Sequence, residues 1–240
     1  MIKIFYGDCL KLLKSIENDC VDAVIVDLPY GTSQNKWDII IPFDPLWKEF
    51  YRIGKNDCPF IFTATQPFTS MLVSSNIRDF RYEIIWEKTI GSGQLNIKRQ
   101  PLRVHESILV FYRKQPTYNE QKTKGSPYKI SRKALKEQGY GKQRENKKEN
   151  DGYRHARSVI RVSNPRIKNG HPTQKPLELM KYIVRTYTNE GDMVLDCCMG
   201  SGTTGKACKE LNRDFMGIEN DKEWYYRCLS SLIDLKKPSK

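Results

Sequence analysis

The sequence predicts a three-layer α/β domain built on a mostly parallel, doubly wound sheet. Three observations carry this. Short apolar runs of buried-strand type recur at both ends of the chain, helix-period segments lie between them, and a glycine-rich turn follows a C-terminal strand. At 240 residues, the chain is long enough to bury one core as a single domain over 1–240.

The elements follow in chain order. Ile2 to Phe5 and Ala23 to Val26 read as buried strands, separated by a helix with Leu10, Leu13 and Ile16 on one face. Pro59 to Thr63, Tyr82 to Trp86 and Ser107 to Tyr112 are further strands, rich in β-branched and aromatic residues and bounded by turn signals. Over 114–168 the apolar periodicity fades, and basic residues outnumber acidic ones by roughly a dozen. Tyr118, Tyr128, Tyr140 and Tyr153 are scattered through this stretch. It reads as a basic insertion, suited both to a solvated segment and to an arm that contacts nucleic acid. Order returns at His171. Pro176 opens a helix carrying Leu179, Met180, Ile183, Val184 and Tyr187, and Gly191 is expected to end it. Met193 to Asp196 is a strand, Thr203 to Leu211 a helix, Phe215 to Glu219 a strand, and Lys222 begins a final helix.

Charge narrows the function classes. With 41 Lys+Arg against 28 Asp+Glu, the formal charge is +13, and such a surface attracts polyanions by releasing their counterions. No apolar run approaches the ~18 residues of a membrane span, and the opening MIKIFYGDCL reads as a folded strand rather than a leader. Seven cysteines without a C-x-x-C pair argue against a disulfide framework or zinc ribbon and for a reducing, cytosolic setting. Cys197 and Cys198 read as small buried residues after a core strand. His105, His155 and His171 share no metal-ligand spacing, so no metal is expected.

The segment MVLDCCMGSGTTGKA marks a nucleoside-cofactor site. A strand ends at Asp196, and Gly200 and Gly202 allow a tight turn and close approach of a ligand. Glu219 ends the next strand, where a carboxylate can accept ribose hydroxyls. Gly200, Gly202 and Gly205 also spell G-x-G-x-x-G, which keeps a nicotinamide cofactor open. The phosphate-loop pattern Gly200 to Lys206 fails at Ala207, where a Mg²⁺-binding hydroxyl is required. A methionine-bearing nucleoside is the third reading, and a glycine turn without a ligand the fourth.

The strand DAVIVDLPYGT decides among them. Asp27, Leu28, Pro29 and Tyr30 stand at its C-terminal end, where doubly wound sheets bind ligands. An exocyclic base amine is a poor nucleophile, because its lone pair is delocalised into the ring. Two acceptors, the Asp27 carboxylate and the Leu28 carbonyl, favour the pyramidal, attacking nitrogen. Pro29 stiffens the turn, and Tyr30 can stack on a base swung out of the duplex.

Together these motifs resemble the DNA amino-methyltransferases in their β arrangement, in which the catalytic element precedes the recognition region and the glycine loop comes last. His171-Pro172-Thr173-Gln174-Lys175-Pro176 is similar to that family's further cofactor motif, and Gly7-Asp8-Cys9 to its adenine-side contact. The resemblance covers the chain outside 114–168. It implies a Rossmann-like, circularly permuted methyltransferase fold and transfer of a methyl group from S-adenosyl-L-methionine to N6 of adenine in DNA.

By position it makes Asp27, Leu28, Pro29 and Tyr30 catalytic. Asp8, Cys9, Asp27, Thr173, Lys175, Asp196, Cys198, Gly200, Ser201, Gly202, Thr203, Thr204, Glu219 and Asn220 become the cofactor side. Thr173 and Lys175 are aimed at the cofactor's carboxylate. Leu28 departs from the family's first proline, and Cys197-Cys198 from its Pro-Phe, which removes an aromatic contact to the cofactor. Lys98, Arg99 and Arg103, between two strands, are candidate phosphate contacts. The expected partner is double-stranded DNA with the base flipped, with a homodimer open and no membrane. Rival readings are N4 of cytosine, an RNA base, a nicotinamide dehydrogenase, and a silent DNA-binding relative. The recognition sequence and any pairing with a restriction enzyme are not legible.

Overall fold

The computed structural model describes residues 1–35, 37–132, 146–164 and 174–233. They form two compact units, Glu120–Arg157 and the remainder of the chain.

In the larger unit, β1 (Ile2–Tyr6) leads into a short α1 (Cys9–Leu12), prolonged by a 3-10 turn at Leu13–Ser15. Then come β2 (Ala23–Val26), α2 (Phe43–Ile53), β3 (Phe60–Ala64) and α3 (Phe68–Ser75). The long pair β4 (Phe80–Ser92) and β5 (Arg103–Phe111) follows. The smaller unit holds β6 (Thr123–Lys124), β7 (Tyr128–Arg132), β8 (Asn146–Asn150) and β9 (Tyr153–Arg154), paired antiparallel as β6–β9 and β7–β8. In it, the Arg154 guanidinium lies 4.4 Å from the centre of the Tyr128 ring. The chain returns through β10 (Val159–Val162), α4 (Leu177–Tyr187), β11 (Met193–Asp196), α5 (Thr203–Glu210), β12 (Asp214–Glu219) and α6 (Lys222–Leu232).

The main sheet has the order β1-β12-β11-β2-β3-β5-β4-β10. Every neighbouring pair is parallel except those made by β5, the one reversed strand. Successive side chains of a strand point to opposite faces, and the core obeys this. Val24 and Val26 enter one apolar cluster with Leu13, Phe50, Phe60 and Phe62. Ala23 and Ile25 enter the other, with Ile61, Ile183, Val184 and Phe215. Helices α1 to α3 pack on the first face and α4 to α6 on the second, giving the three expected layers. No described helix is long and apolar enough to cross a membrane.

The permuted arrangement is visible in the order itself. From β2 the chain winds one way through β3. From β11 it winds the other way through β12, and the N-terminal β1 is added beyond. The reversal falls between β2 and β11, and a crevice opens there at the strands' C-terminal ends.

One expectation needs correction. The helix before β11 ends at Tyr187 rather than at Gly191. Thr188 caps it, with its N–H and its hydroxyl both donating to the Val184 carbonyl, and Gly191 (φ +82°) shapes the later turn. The antiparallel β4–β5 hairpin lies near the edge of the sheet, and β10, drawn from the basic stretch 114–168, pairs outside β4. Helices α2 and α3 are not among the expected elements, although Leu46, Trp47, Phe50 and Ile53 have helical spacing.

Phe62 is fully buried in β3 beside Trp47, Phe50 and Phe111. Phe62→Ala is therefore expected to lower stability by about 3–5 kcal/mol in denaturant titration. A loss below about 1 kcal/mol would mean that this core is not packed as described.

Candidate active site

A cavity of about 840 Å³ opens at the C-terminal edge of the sheet. Asp8 and Cys9 reach it from the end of β1, Asp27 to Tyr30 from β2, Asp196 and Cys198 from β11, and Glu219 and Asn220 from β12. Gly200, Ser201, Thr203 and Thr204 line it from the β11–α5 turn, and Lys175 from the segment before α4. Arg103, the first residue of β5, also lines it, whereas Lys98 and Arg99 stand exposed on the β4–β5 connection outside the lining. Gly202 acts from behind. Its φ is +70°, and a side-chain carbon there would come within 2.8 Å of Cys228 Sγ. Thr173 lies outside the described residues, with His171 and Pro172.

The cofactor-side carboxylates are already engaged by their own loops. Asp8 caps α1 by accepting from the Lys11 N–H at 3.0 Å. Asp196 accepts from the Thr204 hydroxyl at 2.6 Å and the Cys198 N–H at 3.1 Å, so it ties β11 to the first turn of α5. Burial nonetheless pushes its carboxyl up to about 7. Glu219 accepts from the Gly200 N–H at 2.7 Å and the Asp221 N–H at 2.8 Å, and burial raises its pKa as well. Each carboxylate oxygen retains lone pairs for a further donor.

On the other side of the crevice, Asp27 is the focus. Its Oδ1 accepts from the Tyr30 hydroxyl at 2.6 Å and from the Thr63 hydroxyl. Its Oδ2 accepts from Lys175 Nζ at 2.7 Å. Lys175 Nζ also lies 3.3 Å from Glu106 Oε2, and Glu106 forms a further ion pair with Lys88. The four charges alternate in sign along the row Lys88, Glu106, Lys175, Asp27 and sum to zero. The first three side chains are 9–10% exposed while Asp27 is 26% exposed, so the row presents its carboxylate end to the cavity. Burial alone would lower the Lys175 pKa, but Asp27, Tyr30 and Glu106 raise it well above the ordinary lysine value. Burial, then the Asp27 charge, raises the Tyr30 phenol likewise, so Tyr30 is a neutral donor. Its ring stacks on Phe68 at 5.1 Å.

The turn after Tyr30 is tied down by one residue. Asp38 accepts from the N–H groups of Gly31 (2.8 Å), Thr32 (2.9 Å) and Ser33 (2.6 Å). Burial opposes ionisation of Asp38, yet bonds from Ser33, Gly31 and Thr32 outweigh it and hold the carboxyl below its usual range.

The two loops expected from the sequence line one cavity, and further polar residues stand behind them. Thr63, Lys88, Glu106 and Asp38 carry no motif. The only hint is an acidic residue opening the apolar strand HESILVF. Lys175 is drawn onto Asp27, a partner that its motif does not announce.

Comparison with known proteins follows this geometry. The profile of the N6/N4 family described as DNA methylase matches residues 21–229. The type II methyltransferase M1.MboII of Moraxella bovis is 31% identical, over 92% of this chain and 93% of that protein. The DNA adenine methyltransferase YhdJ of Escherichia coli K12 is 28% identical, over 92% and 79%. Among solved structures, the M1.HpyAVI–SAM complex superposes with a TM-score of 0.65 at 25% identity, covering 96% of this chain and 99% of that one.

The Asp196 shift has a measurable consequence. Below about pH 4 the carboxyl is protonated in both folded and unfolded chains. From there to about 7 only the folded chain keeps the proton, so stability falls as pH rises through this window. Relative to Asp196→Asn, the wild type is expected to lose on the order of 4 kcal/mol between pH 4 and pH 7 in denaturant titrations. Parallel stability curves for the two proteins would contradict the assignment.

Proposed function

The chain belongs to the N6/N4 DNA methylase family, and we propose that within it this enzyme methylates N6 of adenine in DNA, with Asp27 as the acceptor that activates the amine. The observation that carries the proposal is the carboxylate end of a charge-balanced row, facing a glycine loop across one crevice. The adenine specificity of YhdJ supports the choice of base. The family joins N6 and N4 enzymes, so N4 of cytosine is the alternative target.

The residues present fit S-adenosylmethionine. Gly200, at φ +49°, lines the cavity and leaves the loop backbone open to close approach, and Glu219 stands where ribose hydroxyls need an acceptor. The hydroxyl that a Mg²⁺-binding phosphate loop requires is missing, since Ala207 follows Lys206. When bound, the cofactor supplies an electrophilic methyl group. Asp8 and Asn220 serve its adenosine side, while Ser201, Thr203 and Thr204 serve its methionine side.

The chain's own residues do the rest. Asp27 Oδ2 and the Leu28 carbonyl accept the two amine protons and direct the nitrogen lone pair towards the methyl group. Lys175 holds Asp27 fixed in direction, so the acceptor needs no reorganisation when positive charge develops on the nitrogen. Tyr30 has two tasks: its ring walls the base pocket, and its hydroxyl holds Asp27 Oδ1. Proximity supplies much of the remaining acceleration. Lys98, Arg99 and Arg103 contact phosphates, and the basic stretch 114–168 contributes target recognition. The target base is flipped out of the duplex to reach Asp27.

The test is transfer of a labelled methyl group to mixed-sequence DNA, followed by separation of the nucleosides. Label in N6-methyladenine is expected, with Asp27→Ala lowering the rate by on the order of 10²–10³-fold. Tyr30→Phe should fall between wild type and Tyr30→Ala, by about tenfold, because it keeps the ring and loses one bond to a charged group. Label in N4-methylcytosine would move the target. Full activity of Asp27→Ala would remove Asp27 from the mechanism.

A further inference from the structure

Three cysteines converge on the wall of the same cavity. Cys9 opens α1 after the first strand, and Cys197 and Cys198 follow β11. Strand β12 separates β1 from β11 in the sheet, yet the chain ends bend together above it. The three sulfurs all lie within 4.8 Å of one another. Cys9 and Cys197 are buried and Cys198 is half-buried, and all three line the cavity.

We propose that Cys9, Cys197 and Cys198 form a binding site for a soft, thiophilic ion that takes three sulfur ligands, trivalent arsenic being the type. The chemistry of the donor set selects the ion. Three thiolates and no oxygen or imidazole donor favour soft ions over magnesium or calcium. A structural zinc site takes four ligands, and no fourth completes this triangle among the described residues. With sulfur–ion bonds of ~2.3 Å, a pyramidal arsenic centre needs its sulfurs about 3.5 Å apart. The present sulfurs, all within 4.8 Å of one another, stand close to that spacing.

Binding of arsenite is an exchange without electron transfer. Three As–OH groups and three thiols give three As–S bonds, and three water molecules leave. No oxidant is required.

The functional consequence rests on the cofactor reading given above. The sulfurs sit beside Asp8, Asp196 and the glycine loop, so an ion held there narrows the space assigned to the cofactor. Occupancy and cofactor binding are then antagonistic, and linkage makes the antagonism mutual.

The experiment uses reduced full-length protein, with arsenite as the probe and native mass spectrometry as the readout. One arsenic per chain is expected, lost in Cys9→Ser and in Cys198→Ser and kept in Cys20→Ser, whose thiol lies outside the triangle. X-ray absorption on the wild-type adduct gives a second measurement that needs no variant: three sulfur neighbours are expected. No adduct, an adduct that survives both variants, or a centre with only two sulfurs would overturn the site. A loss of two hydrogens in place of an arsenic adduct would do the same, by showing a disulfide instead. Binding of labelled S-adenosylmethionine separates the two ideas. A fall of at least about tenfold at saturating arsenite supports both. A cysteine-dependent adduct that leaves cofactor binding unchanged supports the sulfur site and overturns the cofactor's assigned place.

Discussion

The ammonium of Lys175 sits between two carboxylates, hydrogen-bonded to Asp27 and paired with Glu106, and the rest of the site is arranged around that contact. Placing charges in a wall this buried is costly unless each has a partner. The row meets the condition by alternation, with Lys88 closing the far end on Glu106. The candidate catalytic side thereby obtains a carboxylate that is fixed in direction and partly exposed to the cavity. Tyr30 and Thr63 occupy its Oδ1, so the free direction is defined by what is already bound.

That arrangement depends on the sheet. Asp27, Asp196 and Glu219 each end a strand, and the three strands run parallel as near neighbours. Their carboxylates reach one edge because parallel strands deliver all their C-termini to the same side. The reversed strand β5 brings Glu106 to that side from its beginning instead of its end. Antiparallel pairing with β4 then sets Lys88 beside Glu106. The loop before α4 adds Lys175 from a distant part of the chain.

The cofactor and catalytic loops were legible because they are local. A buried parallel strand reads as an unbroken apolar run, so the polar residue that ends it is conspicuous, as at Asp27 in AVIVD and Asp196 in MVLD. Gly200 and Gly202 state their backbone requirement in their identity. The charge row was not legible because it is assembled by strand register. Glu106 stands against Trp86 in the β4–β5 ladder, and nothing in either segment alone foretells that pairing. Strand β10 was hidden for another reason: Val159, Ile160 and Val162 offer three apolar residues, interrupted by Arg161, inside a strongly basic stretch. The misplacement of the helix end at Gly191 shows a limit of residue punctuation. A glycine marks a positive φ, but Thr188 supplied the cap three residues earlier.

The most direct test of this account is a double-mutant cycle between Asp27 and Lys175, read as unfolding free energy. Asp27→Asn and Lys175→Met each remove one partner, and the double variant removes both. If the pair anchors the site, the cycle should give a coupling energy of at least about 1.5 kcal/mol, with the double variant less damaged than the single changes sum to. A coupling below about 0.5 kcal/mol would mean that the two residues act independently, and the charge row would no longer explain how Asp27 is held.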